Sequence, residues 1–390
     1  MKKTLIILLT LYSSLLAYNS SADVQIAKMK AEFETSKQRQ LQEFGDYKTA
    51  LNKEYANYKK ELLEYWKKPE LSSKKKWISY SKDKKSRSKV NFEKNNYTVE
   101  VIAKDAREAK KRLQERISYI ASKNTKEVIQ SDPLQKKVAQ LSKNPEVAHS
   151  KVKATPILAP LLFKKKPTKK DADNYAKNVV DTHTIIKKES KKKDENVYKV
   201  TVKLPKNSKI RLSQTYQADV AKNYRRFKLQ KELLFAIMQT ESDFNPFAKS
   251  HIPAFGLMQI VPRSAGRDSY KFLFNKDKKP SATYLYDSKN NIEMGSAYLH
   301  ILYYRYLKKI KNPQSRLYCT IAAYNTGAGN IAWAFTKTHN MNKAAPKINA
   351  LTPDEVYNRL LSDLKYDEPK HYLKRVTKRM KVYKVAYKEL

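Results

Sequence analysis

The carboxylate best placed to do chemistry is Glu241. Between Lys231 and Ser242, the residues Leu234, Ile237, Met238 and Glu241 recur at the i, i+3, i+4, i+7 spacing of one helix face. An acid therefore stands in an apolar stripe. A carboxylate removed from water without a partner keeps its proton to higher pH than usual. A carboxylic acid still protonated near neutral pH can donate that proton to a glycosidic oxygen. The competing reading is a helix-end Glu held in a salt bridge, and this segment alone does not choose between them. Ser242-Asp243-Phe244-Asn245-Pro246 follows, and Pro246 forbids continuation of the helix.

Three further segments could shape a site around such an acid. In Ala254-Phe255-Gly256-Leu257-Met258-Gln259-Ile260, the glycine lets backbone bend sharply or approach a ligand. Gln259 offers a donor and an acceptor, suiting a sugar N-acetyl group or hydroxyls, and Met258 offers a soft apolar wall. In Ala322-Ala323-Tyr324-Asn325-Thr326-Gly327-Ala328-Gly329, a helix runs into a glycine-flanked turn, presenting Tyr324 and Asn325 at its end. In Glu368-Pro369-Lys370-His371-Tyr372-Leu373-Lys374-Arg375-Val376, Tyr372 shares a helix face with Val376. Taken singly, a turn before a core helix, a capped helix and a core tyrosine explain these segments equally well.

Taken in order, Glu241-Ser242, Gly256-Leu257-Met258-Gln259, Ala323-Tyr324-Asn325 and Glu368…Tyr372 resemble the lysozyme-like catalytic domain of the soluble-lytic-transglycosylase family, over about 212 to 388. The run Ala236-Ile237-Met238-Gln239-Thr240-Glu241-Ser242 and the strand-bearing region before it fit a membrane-bound subgroup of that family. The resemblance implies a carbon–oxygen lyase that cuts the β-1,4 bond between N-acetylmuramic acid and N-acetylglucosamine without water, leaving 1,6-anhydromuramoyl ends, in cell-wall turnover. It implies Glu241 as the one catalytic acid and base, with Ser242, Met258, Gln259, Tyr324, Asn325 and Tyr372 against the sugar. It implies no metal and no organic cofactor. Glycoside hydrolysis ordinarily takes two carboxylates. Asp243, two residues on, points almost oppositely from Glu241, while Asp268 and Asp287 lie in polar connecting stretches and stay open as second acids. A water-using muramidase on the same fold and a non-catalytic wall-binding scaffold are the alternatives.

The rest of the chain must position these segments. Its 390 residues suffice for two domains. After Ser208 helical periods dominate, so 206–390 is expected to be mainly α-helical and 23–205 a small α+β accessory domain with basic loops: an α+β protein overall. In the first region Ile26, Met29, Phe33, Leu41, Phe44, Tyr47, Leu51, Tyr55, Tyr58, Leu62 and Tyr65 fall on one helical stripe, the period of one amphipathic helix or of an antiparallel pair turning near Gly45-Asp46, with a stop at Pro69. Strands are expected at Trp77 to Tyr80, on either side of an Asn95-Asn96 turn between Val90 and Ile102, at Thr184 to Ile186 and at Val197 to Leu204, with a helix at Lys104 to Ser122. The prolines between Asn144 and Thr168 suggest an exposed connection.

Lys2 and Lys3, the apolar run Leu5 to Leu16 and the small residues after it form the pattern of a secretory signal, cleaved after Ala17 or Ala22. Export to the periplasm follows, which removes nucleic acid as a partner. The 81 Lys plus Arg against 38 Asp plus Glu leave a charge of +43, a field that draws polyanions and anionic surfaces. Peptidoglycan strands, an anionic membrane surface and cell-wall assembly proteins are the partners this leaves. Cys319 is the sole cysteine, so no intrachain disulfide forms and the signal region has none to carry lipid, although the membrane-bound subgroup is expected to be lipoproteins.

Overall fold

The computed structural model describes residues 2–141 and 152–388. Helix α1 (Lys2–Leu62) is unbroken. Of the two readings of the stripe the single helix holds, and no turn forms at Gly45-Asp46, because one glycine costs a helix only about 1 kcal/mol. The helix also stops at Leu62, well ahead of Pro69, unwinding through hydrogen bonds such as Trp66 N–H to the Leu62 carbonyl (2.9 Å). Met1–Lys53 is a compact unit of its own, and Glu54–Leu390 is a second.

Within the second unit, β1 (Lys76–Tyr80), β2 (Ser86–Asn91), β3 (Asn96–Ala103), β4 (Ile186–Glu189) and β5 (Asn196–Lys203) make one antiparallel sheet in the order β1-β2-β3-β5-β4. Val90, Tyr97, Val99, Val101 and Val200 fill its core. Asn95 makes the expected turn in the left-handed region (φ 51°), which asparagine tolerates better than most residues. Helix α2 (Ala106–Ser122), capped by the Asp105 side chain on Glu108 N–H, packs on β2 and β3. Helix α3 (Lys169–Thr182), opened by a Thr168–Asp171 capping box, packs on α2. Tyr58 and Trp66 meet the Tyr80 ring edge-on at 6.2 and 6.0 Å, so the striped residues at the end of α1 face the sheet.

Two expectations change here. The fourth strand begins at Ile186 and takes in Lys187 and Lys188, the first lysines of the stretch Lys187 to Lys193 expected as a basic loop between the last two strands. The proline-bearing connection is exposed at Lys153, Pro156 and Lys164 to Lys166, as expected, but it also tucks in Ile157, Leu158 and Leu161, which are 1%, 0% and 2% exposed. Residues 142–151 of that connection lie outside the described residues. Beyond β5 the described chain is helical apart from isolated bridges at Lys249, Phe255 and Ile260. The site is built from α4 (Lys231–Ser242), α5 (Ser288–Ile301), α6 (Pro313–Thr326) and α7 (Asp367–Ala386). Helix α4 is apolar almost all round and buries Leu233 through Met238, as a helix at the centre of a domain must. It packs along α7, with Phe235 stacked on Tyr387 at 4.5 Å, and α6 packs on α7 as well. Among the described residues no helix is long and apolar enough to cross a membrane.

Candidate active site

Helix α4 ends at Ser242, before Pro246 has any say, because Asp243 and Phe244 both take positive φ (52° and 65°). Two adjacent non-glycine residues in that region are strained and need outside support. The Phe244 ring supplies part of it, fully buried and stacked on Tyr216 at 6.2 Å. Asp243 supplies the rest by sitting between the Lys75 and Lys209 ammonium groups at 2.8 and 3.1 Å. Lys75 also donates to the Gln239 and Thr240 carbonyls at 3.2 and 2.9 Å. The Gln239 carbonyl also keeps its helical bond from Asp243 N–H at 3.1 Å, and a cation at this end of the helix meets the negative end of its dipole. Asn245 ties the same loop down, donating to the Ser73 and Lys74 carbonyls at 3.2 Å each.

Glu241 is only 7% exposed at the end of this helix. Burial pushes its carboxyl above the ordinary range; the Lys74 ammonium 3.8 Å from Oε2, the Tyr372 hydroxyl and Lys75 pull it partly back, and Glu368 pushes it up again. Asp243 moves the other way. Burial opposes its ionisation, but its two lysines hold the carboxyl below its usual range. The two near neighbours are thus pushed in opposite directions, Glu241 toward holding its proton and Asp243 toward losing it. The remaining candidate acids are engaged elsewhere: Asp268 accepts from the Tyr306 hydroxyl at 3.4 Å, and Asp287 caps α5 through Asn290 N–H at 2.8 Å.

Tyr372 and Tyr324 stand over Glu241 from α7 and α6. Burial, then the charge of Glu241, drives both phenols well above their normal range. Tyr372 is 1% exposed, with its hydroxyl turned to the Glu241 carboxyl. Gln259 is buried as well. Its amide nitrogen donates to the Ala248 and Gly256 carbonyls at 3.0 and 3.1 Å, which fixes the amide's orientation and leaves Oε1 buried without a partner. It can accept a hydrogen bond from a sugar but has no donor to spare. Asn325, part-exposed, donates to Glu368 Oε1 at 3.3 Å at the end of α6.

Ser242 and Met258 do not line the site. The Ser242 hydroxyl is fully buried and turned to the Leu257 and Met238 carbonyls at 2.8 and 3.0 Å, so it joins α4 to the Gly256 loop. The Met258 side chain is also fully buried and lies over Gly295, where an added Cβ would meet its sulfur at 2.4 Å. A thioether on an apolar position is as good a core filler as a sugar platform, and here it fills the core. Its backbone matters more: Met258 N–H donates to Asn291 Oδ1 and its carbonyl accepts from the Tyr324 hydroxyl, each at 2.8 Å.

Gly256 sits at φ +76°, and a Cβ there would lie 2.3 Å from both the Leu285 carbonyl and Asn291 Nδ2. Backbone on one side leaves no room to yield. Gly256→Ala is therefore expected to lower stability by about 3 kcal/mol through overpacking and left-handed strain, seen as a lower melting temperature. A variant that melts like wild type would show that the loop can move.

Sequence reasoning missed Lys74, Lys75 and Asn291. The lysines lie some 165 residues before Glu241 in chain order, as the Lys75–Thr240 contact records, among many other lysines. Asn291, which bonds Phe255, Leu285 and Met258 backbone at 2.8 Å each, sits in an ordinary polar run.

Residues 220–346, which hold Glu241 and most of these helices, match the family model described as the transglycosylase SLT domain. The chain is 41% identical over 188 residues to the membrane-bound lytic murein transglycosylase C of Sodalis glossinidius, covering 48% of this chain and 52% of that one. It is 40% identical over the same length, with the same coverage, to the protein of that name in Serratia proteamaculans. It thus spans about half the length of these curated relatives. Among solved structures it is similar to the 70 kDa soluble lytic transglycosylase of Escherichia coli, with 24% identity, a TM-score of 0.34, and coverage of 44% of this chain and 24% of that one.

Proposed function

We propose that this protein is a lytic transglycosylase of peptidoglycan. The observation that carries the reading is Glu241: a dry carboxyl beside two tyrosines, with the adjacent Asp243 locked away on lysines. Glu241 gives its proton to the oxygen joining N-acetylmuramic acid to N-acetylglucosamine, and the bond from that oxygen to the muramoyl C1 breaks. The muramoyl N-acetyl group stabilises the positive charge developing at C1. Glu241, now a carboxylate, takes the proton of the C6 hydroxyl while that oxygen bonds to C1, closing the 1,6-anhydro ring. The acid ends as it began, so one carboxyl suffices.

The Tyr372 hydroxyl, beside Glu241, donates to the N-acetyl oxygen when substrate is bound, and Gln259 Oε1 accepts from a sugar N–H or hydroxyl. Tyr324 borders the sugar, and Asn325 meets it at the end of α6. Residues 206–390 form the catalytic domain and 23–205 the accessory domain. The protein works outside the cytoplasm, where its excess of cations suits the anionic wall and membrane surface.

Mass spectrometry of a digest of purified sacculi tests the reading. Anhydromuramoyl ends are expected. Reducing ends would mean that water, not the C6 hydroxyl, attacks, and an undigested wall would mean a scaffold. The acid must hold its proton to act, so activity is expected to fall as pH rises through the raised Glu241 value.

A further inference from the structure

The loop Ser73–Lys75, just ahead of β1, belongs to the sheet-bearing region but lies against the end of α4. Asn245 holds its Ser73 and Lys74 carbonyls, and Lys75 caps the helix and pairs with Asp243. Lys74 is placed differently from Lys75. Its side chain is 37% exposed, and its ammonium stands 3.8 Å from Glu241 Oε2, within ion-pair range but too far for a hydrogen bond. The charged and titratable groups acting on Glu241 are Lys74 and Lys75 from this loop, Tyr372 and Glu368 from α7, and Tyr324 from α6. Both cations in that set come from the loop.

We propose that Lys74 is a positioning residue whose ammonium offsets the negative charge Glu241 acquires on giving up its proton, so that the sheet-bearing region takes part in the chemistry. This rests on Glu241 being the acid. As the acid, Glu241 enters the reaction carrying its proton, and Lys74 then faces no formal charge there. When the proton passes to the bridging oxygen and the C1–O bond breaks, a carboxylate appears beside the ammonium. When the C6 hydroxyl returns a proton to Glu241, the charge is gone. Lys74 itself neither gains nor loses a proton. Lys75 cannot take this part, because Asp243 and two carbonyls already hold it.

The test uses full-length protein carrying Lys74→Met or Lys74→Arg, with the pH dependence of kcat/KM on purified sacculi as the readout. Lys74→Met should move the alkaline limb up by about one pH unit and lower the plateau about 10-fold, since the acid it leaves is weaker. Lys74→Arg should keep the limb at its wild-type position. Where turnover is too slow to profile, infrared titration of the Glu241 carboxyl, each protein against its own Glu241→Gln counterpart, reads the same shift. An unmoved limb in Lys74→Met overturns the proposal, whatever the plateau does, because packing damage alone lowers rate without changing the acidity of Glu241. The two claims separate cleanly. Residual cleavage by Glu241→Gln defeats the assignment of the acid, whereas a dead Glu241→Gln with an unmoved limb in Lys74→Met defeats only the role of Lys74.

Discussion

Replacing Glu241 with Gln is expected to cut release of anhydromuropeptides from sacculi by about 10³-fold, the scale of a lost general acid–base group. Gln fills the same volume and keeps the carboxyl's shape, so co-sedimentation with sacculi should persist. The stability of the variant separates this outcome from misfolding. Folding raises the pKa of Glu241. Whatever this group contributes to stability is therefore fully present below its unfolded value and is lost as pH rises through its folded one. Glu241→Gln removes that loss. The variant should melt at least as high as wild type, and the gap should widen toward alkaline pH. A variant that is inactive because it is unstable would contradict this.

The second large effect is on the fold. Asp243→Asn keeps the side chain's shape and its tolerance of positive φ but leaves Lys75 and Lys209 facing each other without their shared anion. Breaking a buried ion pair from one side costs about 3–5 kcal/mol, read as a lower midpoint in chemical denaturation. The sign with pH is the reverse of that for Glu241. Asp243 is depressed in the folded protein, so its contribution is present above its unfolded pKa and lost as pH falls through its folded one. Wild type and Asp243→Asn should thus differ most near neutral pH and converge in acid. A constant gap would mean that Asp243 acts through packing and not through charge.

Glu241 was legible in the sequence because a single chemical contradiction, an acid on an aliphatic stripe, survives folding unchanged. Tyr324, Asn325 and Tyr372 were legible as helix-end or helix-face residues, and the helices placed them accordingly. The β-sheet showed itself through alternation, and β1, β3 and β5 fall where it predicts. What the pattern could not carry was which way a side chain beside the acid turns. Ser242, still on α4, bonds the Met238 and Leu257 carbonyls, and the Asn291 clamp on Met258 N–H holds the loop with the Met258 side chain in the core. Nor could periodicity reveal Lys74 and Lys75, since a lysine in a loop carries no signal for which helix end it will meet. Proline and glycine misled in the other direction. Pro69, Pro246 and Gly45 mark places where a helix can end, but burial and capping decide where it does.

The role of Glu241 turns on the protonation state of its carboxyl at rest, and difference infrared spectroscopy of wild type minus Glu241→Gln near neutral pH reads it directly. The carbonyl band of a neutral carboxylic acid is expected in the difference spectrum. The paired stretches of a carboxylate in its place would contradict a role for Glu241 as the resting acid.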